Sequence, residues 1–209
     1  MTTKLYVQYG CGWSAPEEWI NFDASSTLRF ERLPLIGRFY TKNHSRFPRN
    51  VQYGDIVKGL PLPLDACRGV YCSHVLEHLC LDDFRVALFN TRKILCQGGI
   101  FRLVIPDLEY FIKQYIDDSS PLAAYEFMTG TLLGYTTRQR KVKDFFVAWL
   151  GNSRHLWMWD YKSMKKELEN AGFVDVRRVF IGDSIDGAFN AVEEANRWEN
   201  CLGVEARKV

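Results

Sequence analysis

Two glycines and an acid near the start of this sequence have the types and spacing to hold a ligand. Gly10-Cys11-Gly12 follows the strand formers Leu5, Tyr6 and Val7, and Asp23 follows a second apolar run, Trp19-Ile20-Asn21-Phe22. Paired glycines suit a tight turn where backbone closely approaches a ligand, and an acid just past the carboxyl end of a strand sits where open α/β sheets bind theirs. A carboxylate there can accept both hydroxyls of a ribose, so the stretch outlines a nucleoside site. The spacing speaks against a dinucleotide. That fingerprint needs a third glycine, a helix and an acid about 20 residues on, whereas Asp23 follows Gly12 by 11 residues with Pro16 between them.

The second cluster is His74-Val75-Leu76-Glu77-His78, which satisfies H-x-x-E-H. In that zinc-hydrolase pattern two histidines one helical turn apart bind the metal, the glutamate serves as base and a further ligand comes from elsewhere. A zinc hydrolase using His74, Glu77 and His78 is therefore one reading. Against it, the pattern belongs inside a helix, and here it directly follows an apolar run, Arg68 to Ser73, and opens a helix. The other candidate is His155, which follows a long aromatic segment and can re-enter a cleft or serve the structure alone. The six cysteines, Cys11, Cys67, Cys72, Cys80, Cys96 and Cys201, form no C-x-x-C pair and lie mostly in apolar surroundings. They read as reduced, buried thiols, with Cys11 small to fit its turn and not a nucleophile.

These residues need elements to position them. A short helix within Ala24 to Arg38, capped by Ser25 or Ser26, precedes an exposed polar loop, and Val51-Gln52-Tyr53 makes a third strand ending at Gly54-Asp55. Asp55 has a bland reading as a turn aspartate capping its own loop. After the fourth strand, Leu81, Phe84, Leu88 and Leu95 describe one buried helical stripe, and Gln97-Gly98-Gly99 is expected to stop it before a fifth strand, Ile100 to Ile105. A helix at Tyr161 to Ala171 ends at Gly172, a strand runs from Phe173 to Val179, and the alternating tail CLGVEARKV reads as a final antiparallel strand. Strands alternating with helices predict a doubly wound parallel sheet. Residues 110–153 exceed a crossover; breaks at Asp118-Ser119-Ser120-Pro121 and Gly134 divide them into three helices. Their aromatics, Tyr115, Tyr125, Phe127, Tyr135, Phe145, Phe146 and Trp149, suit either a core or a lid over a pocket. Arg138, Arg140, Lys141 and Lys143 within them read as a solvated face or an anion site.

With 209 residues, 47% hydrophobic and 25% charged, the chain suits one globular domain. A net charge of +2 gives no signal for nucleic acid or an anionic membrane. No apolar run approaches the roughly 20 residues that span a bilayer, and MTTK leads straight into a strand, so a soluble, cytoplasmic protein is expected.

Taken in order, VQYGCG, WINFD, GDIVKGLPLPLDACRGVYCSHVLEHL, RKILCQGGIFRLVIPDLE and LENAGFVDVRRV resemble the class I S-adenosylmethionine-dependent methyltransferases, most closely the type 11 kind with a shortened first helix. The resemblance implies an α/β fold: a Rossmann-like, doubly wound seven-stranded sheet, mostly parallel with its last strand antiparallel, forming a single domain over 1–209 with 110–153 as a helical lid-like insertion. It implies S-adenosylmethionine as cofactor. The methionine end would lie over Gly10, Cys11 and Gly12 with Ser73 and His74 nearby, the ribose on Asp23, and the adenine on the Asp55 carboxylate and the Ile56 backbone. It assigns no metal ligand, and it implies methyl transfer to an unidentified acceptor, a small molecule, with His74 and His155 as candidate bases. A binding protein that keeps the cofactor site without turnover is the alternative on the same fold. The acceptor and the oligomeric state are not fixed by the sequence.

Overall fold

The computed structural model describes residues 5–34, 37, 46–135 and 154–209. Strands β1 (Leu5–Tyr9), β2 (Ile20–Asp23), β3 (Val51–Tyr53), β4 (Cys67–Ser73), β5 (Leu95–Pro106), β6 (Phe173–Val179) and β7 (Cys201–Lys208) form one seven-stranded sheet ordered β3-β2-β1-β4-β5-β7-β6. The pairings from β3 across to β5 are parallel, and β7 runs antiparallel to both β5 and β6. The chain winds outward from β1 through β2 to β3, then returns to place β4 on the other side of β1. That reversal opens a crevice at the carboxyl ends of β1 and β4, the place where open α/β sheets bind ligands.

The central strands carry the core. Val70, Tyr71, Cys72 and Ser73 in β4 and Leu103, Val104 and Ile105 in β5 are all buried, the continuous run expected of strands covered on both faces. Helix α1 (Ser26–Glu31) starts at Ser25, whose side chain accepts the Leu28 N–H. Helix α2 (Leu81–Ile94) buries Phe84, Ala87, Leu88, Thr91 and Ile94. The later pieces follow the sequence reading: a helix at Tyr161–Asn170, closed by an Asp160–Ser163 capping box and by Gly172 at φ +87°, then β6 and the antiparallel β7.

Three expectations need correction. The segment after β4 does not open a helix: Leu76–His78 is a single 3₁₀ turn, and α2 begins only at Leu81. Helix α2 also ends earlier than expected, because Leu95 is extended (φ −67°, ψ 137°) and is the first residue of β5. Gln97-Gly98-Gly99 then lies inside the strand, where the register against β4 shifts and Gly98 takes φ +72° to form the irregularity. The cysteines are all unpaired as expected, but Cys80 is exposed and Cys201 half-buried.

Beyond β5, α3 (Leu108–Asp117), capped by Asp107, and α4 (Ala123–Gly130) are the first two helices of the 110–153 segment. They meet through Tyr115 and Phe127, whose rings lie 5.9 Å apart. The third expected helix, with Phe145, Phe146, Trp149 and the cluster Arg138, Arg140, Lys141 and Lys143, lies outside the described residues, as does most of the polar loop before β3.

One charge stands in the middle of β5. Arg102 is fully buried, and its guanidinium donates to Asp183 Oδ1 (3.0 Å), Glu205 Oε2 (3.1 Å), the Phe180 carbonyl (2.6 Å) and the Glu193 carboxylate. Arg177 completes the cluster from β6, donating twice to Glu205 Oε1 at 2.8 and 3.1 Å. The fork geometry of arginine lets one side chain tie β5, β7 and the 180–193 segment together. Arg102→Met should cost about 3–5 kcal/mol in urea denaturation, because Glu193 and Glu205 would remain buried with their main cation gone. A loss under about 1 kcal/mol, the scale of an exposed pair, would show that the cluster does not hold this side of the sheet.

Candidate ligand cleft and histidine cluster

Beside the carboxyl ends of β1 and β4 lies an open cleft of about 860 Å³, within the range typical of small-molecule sites. Of the residues singled out in the sequence, Gly10, Asp23, Asp55, Ile56 and His74 line it. Cys11, Gly12 and Ser73 are not among its lining residues. Ser25 and His78, read from the sequence as a helix cap and as part of the H-x-x-E-H stretch, also line it, as does Tyr9, which nothing in the local sequence marked.

The glycine turn works as a close approach. Gly10 has φ +68°, and a Cβ on it would stand 2.1 Å from Val75 Cγ2, so the β1 turn and the segment after β4 fit only without a side chain. Gly12, at φ +56°, donates its N–H to Asp23 Oδ2 (3.0 Å), and the Ser25 N–H reaches Asp23 Oδ1 (2.8 Å). Each carboxylate oxygen thus takes one backbone donor and keeps acceptor capacity for a ligand. Cys11 is buried against Leu28, Phe47 and Val51, and burial, helped by the Asp23 charge, pushes its thiol up to about 12. It is a neutral packing residue at physiological pH. Asp55 caps its own turn by accepting the Val57 N–H (3.0 Å) and pairs with Lys58 (3.2 Å), while Ile56 is buried at the cleft wall.

His74 takes a left-handed backbone, φ +56°, immediately after β4. Its N–H donates to the Val104 carbonyl (2.9 Å), its Nε2 meets the Arg197 carbonyl (2.9 Å), and its Nδ1 lies 3.2 Å from Glu77 Oε1. Burial by itself would lower its pKa, but the Cys201 thiol, the Glu77 carboxylate and the Arg197 carbonyl outweigh it and raise the value to about 10. A charged His74 donates from Nε2 to the Arg197 carbonyl and sets its Nδ1 side against the Glu77 carboxylate as an ion pair. Arg197, 123 residues away in sequence, also holds Ser73 through its hydroxyl (3.1 Å) and carbonyl (2.6 Å).

Glu77, His78 and His155 come together below this turn, and one ligand atom from each lies within 4.8 Å of the others. Their segments are stitched: the Leu156 and Trp157 N–H groups donate to the Glu77 carbonyl at 2.7 and 3.1 Å, and His78 Nδ1 donates to the Arg154 carbonyl at 2.8 Å. His155 is buried and its pKa is lowered, chiefly by burial, partly offset by the Glu77 charge. It does not line the cleft, whereas His78 does.

No family model and no curated protein matches the chain. Solved structures match its fold. A SAM-dependent methyltransferase from Archaeoglobus fulgidus superposes with a TM-score of 0.51 at 18% identity, over 98% of this chain and 86% of that one. Another, from Thermotoga maritima, gives 0.52 at 17% identity over 100% and 84%. PigF with SAH gives 0.50 at 15% identity over 99% of this chain and half of the other. At such identities the likeness concerns architecture: this chain has the Rossmann-like fold of the class I SAM-dependent methyltransferases, with the strand order and the reversed last strand described above.

The Gly10–Val75 contact yields a test of how the cleft is built. Gly10→Ala should destabilise by about 1–3 kcal/mol, the scale of overpacking. Val75→Ala in the same background should recover the steric share, leaving roughly 1–2 kcal/mol for the left-handed backbone. Equal denaturation midpoints for the single and double variants would mean that the two segments do not meet there.

Proposed function

We propose that this protein is a methyltransferase that binds S-adenosylmethionine in the cleft between β1 and β4 and passes its methyl group to a small-molecule acceptor. The observation that carries the reading is that Gly10, Asp23, Asp55, Ile56 and His74, from four separate segments, line one cleft at the sheet's switch point. The residues present fit the cofactor. The glycine turn admits a close backbone approach, Asp23 offers acceptor capacity to ribose hydroxyls, and Asp55 with buried Ile56 offers a carboxylate and an apolar wall for adenine.

When bound, the cofactor supplies a methyl group already activated on a sulfonium. The chain's own contribution is alignment, the holding of an acceptor atom in line with that methyl. His74 belongs to this scaffold and is not assigned as a base, since its Nε2 is held by the Arg197 carbonyl, its Nδ1 is ion-paired with Glu77, and its charged form has no lone pair. His155 is not assigned as a base either, because it does not line the cleft. Helices α3 and α4, the described part of 110–153, are proposed as a lid on the acceptor side within a single domain over 1–209. None of the α3 residues is buried, and Ile116 and Tyr125 are 71% and 62% exposed, apolar surface available to a bound acceptor. The unpaired thiols support a reducing, cytoplasmic setting. Among the described residues no helix is long and apolar enough to cross a membrane.

S-adenosylhomocysteine should raise the melting temperature, with linkage adding roughly 2.7 kcal/mol at 100 times its dissociation constant. Asp23→Ala should weaken that binding by about 1.5–3 kcal/mol in calorimetry while the protein stays folded, the scale for a hydrogen bond to a charged group. No thermal shift at saturating ligand, or an unchanged affinity in the variant, contradicts the assignment. Transfer of tritium from labelled S-adenosylmethionine into a mixed metabolite extract then separates an enzyme from a protein that only binds. In hydrogen exchange, the α3 and α4 amides should exchange well before those of β1 and β4, as a lid requires. Equal protection would make these helices part of the core.

A further inference from the structure

Glu77 is 1% exposed, and neither of its carboxylate oxygens has a hydrogen-bond partner among the described residues. A carboxylate held this way is costly unless a cation completes it. Among the described residues His74 Nδ1 lies 3.2 Å from Oε1 without making a hydrogen bond to it, so it supplies charge without satisfying the oxygens. His155, 8% exposed, has a second orphan, a buried Nδ1 with no hydrogen-bond partner among the described residues. His78 donates Nδ1–H to the Arg154 carbonyl, which orients its ring. Histidines that bind metals are oriented in this way, through a backbone carbonyl on the opposite nitrogen.

We propose that Glu77, His78 and His155 form a binding site for a divalent transition-metal ion of the zinc type. Two imidazoles and a carboxylate are the donor set of zinc sites that keep an open fourth position. Ligands about 2.0–2.2 Å from a tetrahedral ion lie about 3.4 Å apart, so side-chain rotation has to close a span of at most 4.8 Å. The backbones need not move, because the Leu156 N–H and the Arg154 carbonyl already stitch both sides of His155 to Glu77 and His78. His74 is not a ligand. Its Nε2 is turned to Arg197, so the H-x-x-E-H stretch supplies only its last two residues and the third donor comes from 77 positions downstream of His78. Since His78 also lines the cleft, the open position lies beside the space assigned to the cofactor.

The site stands independently of the methyltransferase reading, and its test separates the two. The full chain, stripped with a chelator and titrated with Zn²⁺ in a calorimeter, should bind one ion. Glu77→Gln and His155→Ala should each weaken binding by more than about 100-fold, beyond the about 10–100-fold that loss of a supporting partner costs, while His74→Asn stays within that smaller range. Circular dichroism and S-adenosylhomocysteine binding on the same variants distinguish a lost ligand from a lost fold. Protein that takes up zinc but no S-adenosylhomocysteine upholds this site and removes the function proposed above. The site is overturned by a wild type that takes up no zinc, by folded Glu77→Gln and His155→Ala variants that bind it as the wild type does, or by His74→Asn costing more than His155→Ala.

Discussion

Everything on the ligand side of this protein depends on how the chain leaves β4. His74 holds a left-handed backbone that costs a residue with a side chain roughly 1–2 kcal/mol. Three hydrogen bonds offset that cost: the His74 N–H to Val104, its ring to the Arg197 carbonyl, and the Arg197 guanidinium to the Ser73 carbonyl. Because the chain turns there, Val75 packs against the bare Gly10 backbone and the 3₁₀ turn carries Glu77 inward and His78 toward the cleft. A chain continuing straight from Ser73 would fill the crevice between β1 and β4 with its own side chains.

The two buried charge centres contrast. Arg102 has acceptors for each nitrogen of its guanidinium. It fixes the 180–193 segment, and the chain just beyond brings Arg197 to the end of β4. Glu77 is as deeply buried and, among the described residues, has His74 beside it without a hydrogen bond between them. A satisfied charge stiffens a fold, and an unsatisfied one marks a place where the fold awaits a partner.

What the sequence made legible was local. Gly10 and Gly12, the alternation of β7 and the Gly172 stop each act through neighbours within a few residues, and each element forms where its pattern predicts. The end of α2 was misread because Leu95 continues the helical stripe and the glycines after it suit a helix stop as well as a strand bulge. Only pairing with β4 decides between them. The links from Arg197 to Ser73 and His74, and from His155 to Glu77, join residues far apart in sequence. Histidine and glutamate types were visible, but nothing in their spacing told which of His74 and His155 would face Glu77 with a free nitrogen.

The central claim is that the crevice between β1 and β4 is a nucleoside cleft arranged around Asp23 and Asp55. A crystal structure of the protein grown with S-adenosylhomocysteine tests it most directly. The account predicts the ribose hydroxyls within hydrogen-bond distance of the Asp23 carboxylate, and the adenine against Ile56 with its amine at Asp55. Ligand bound elsewhere on the sheet, or seated in the cleft with its ribose away from Asp23, would contradict it.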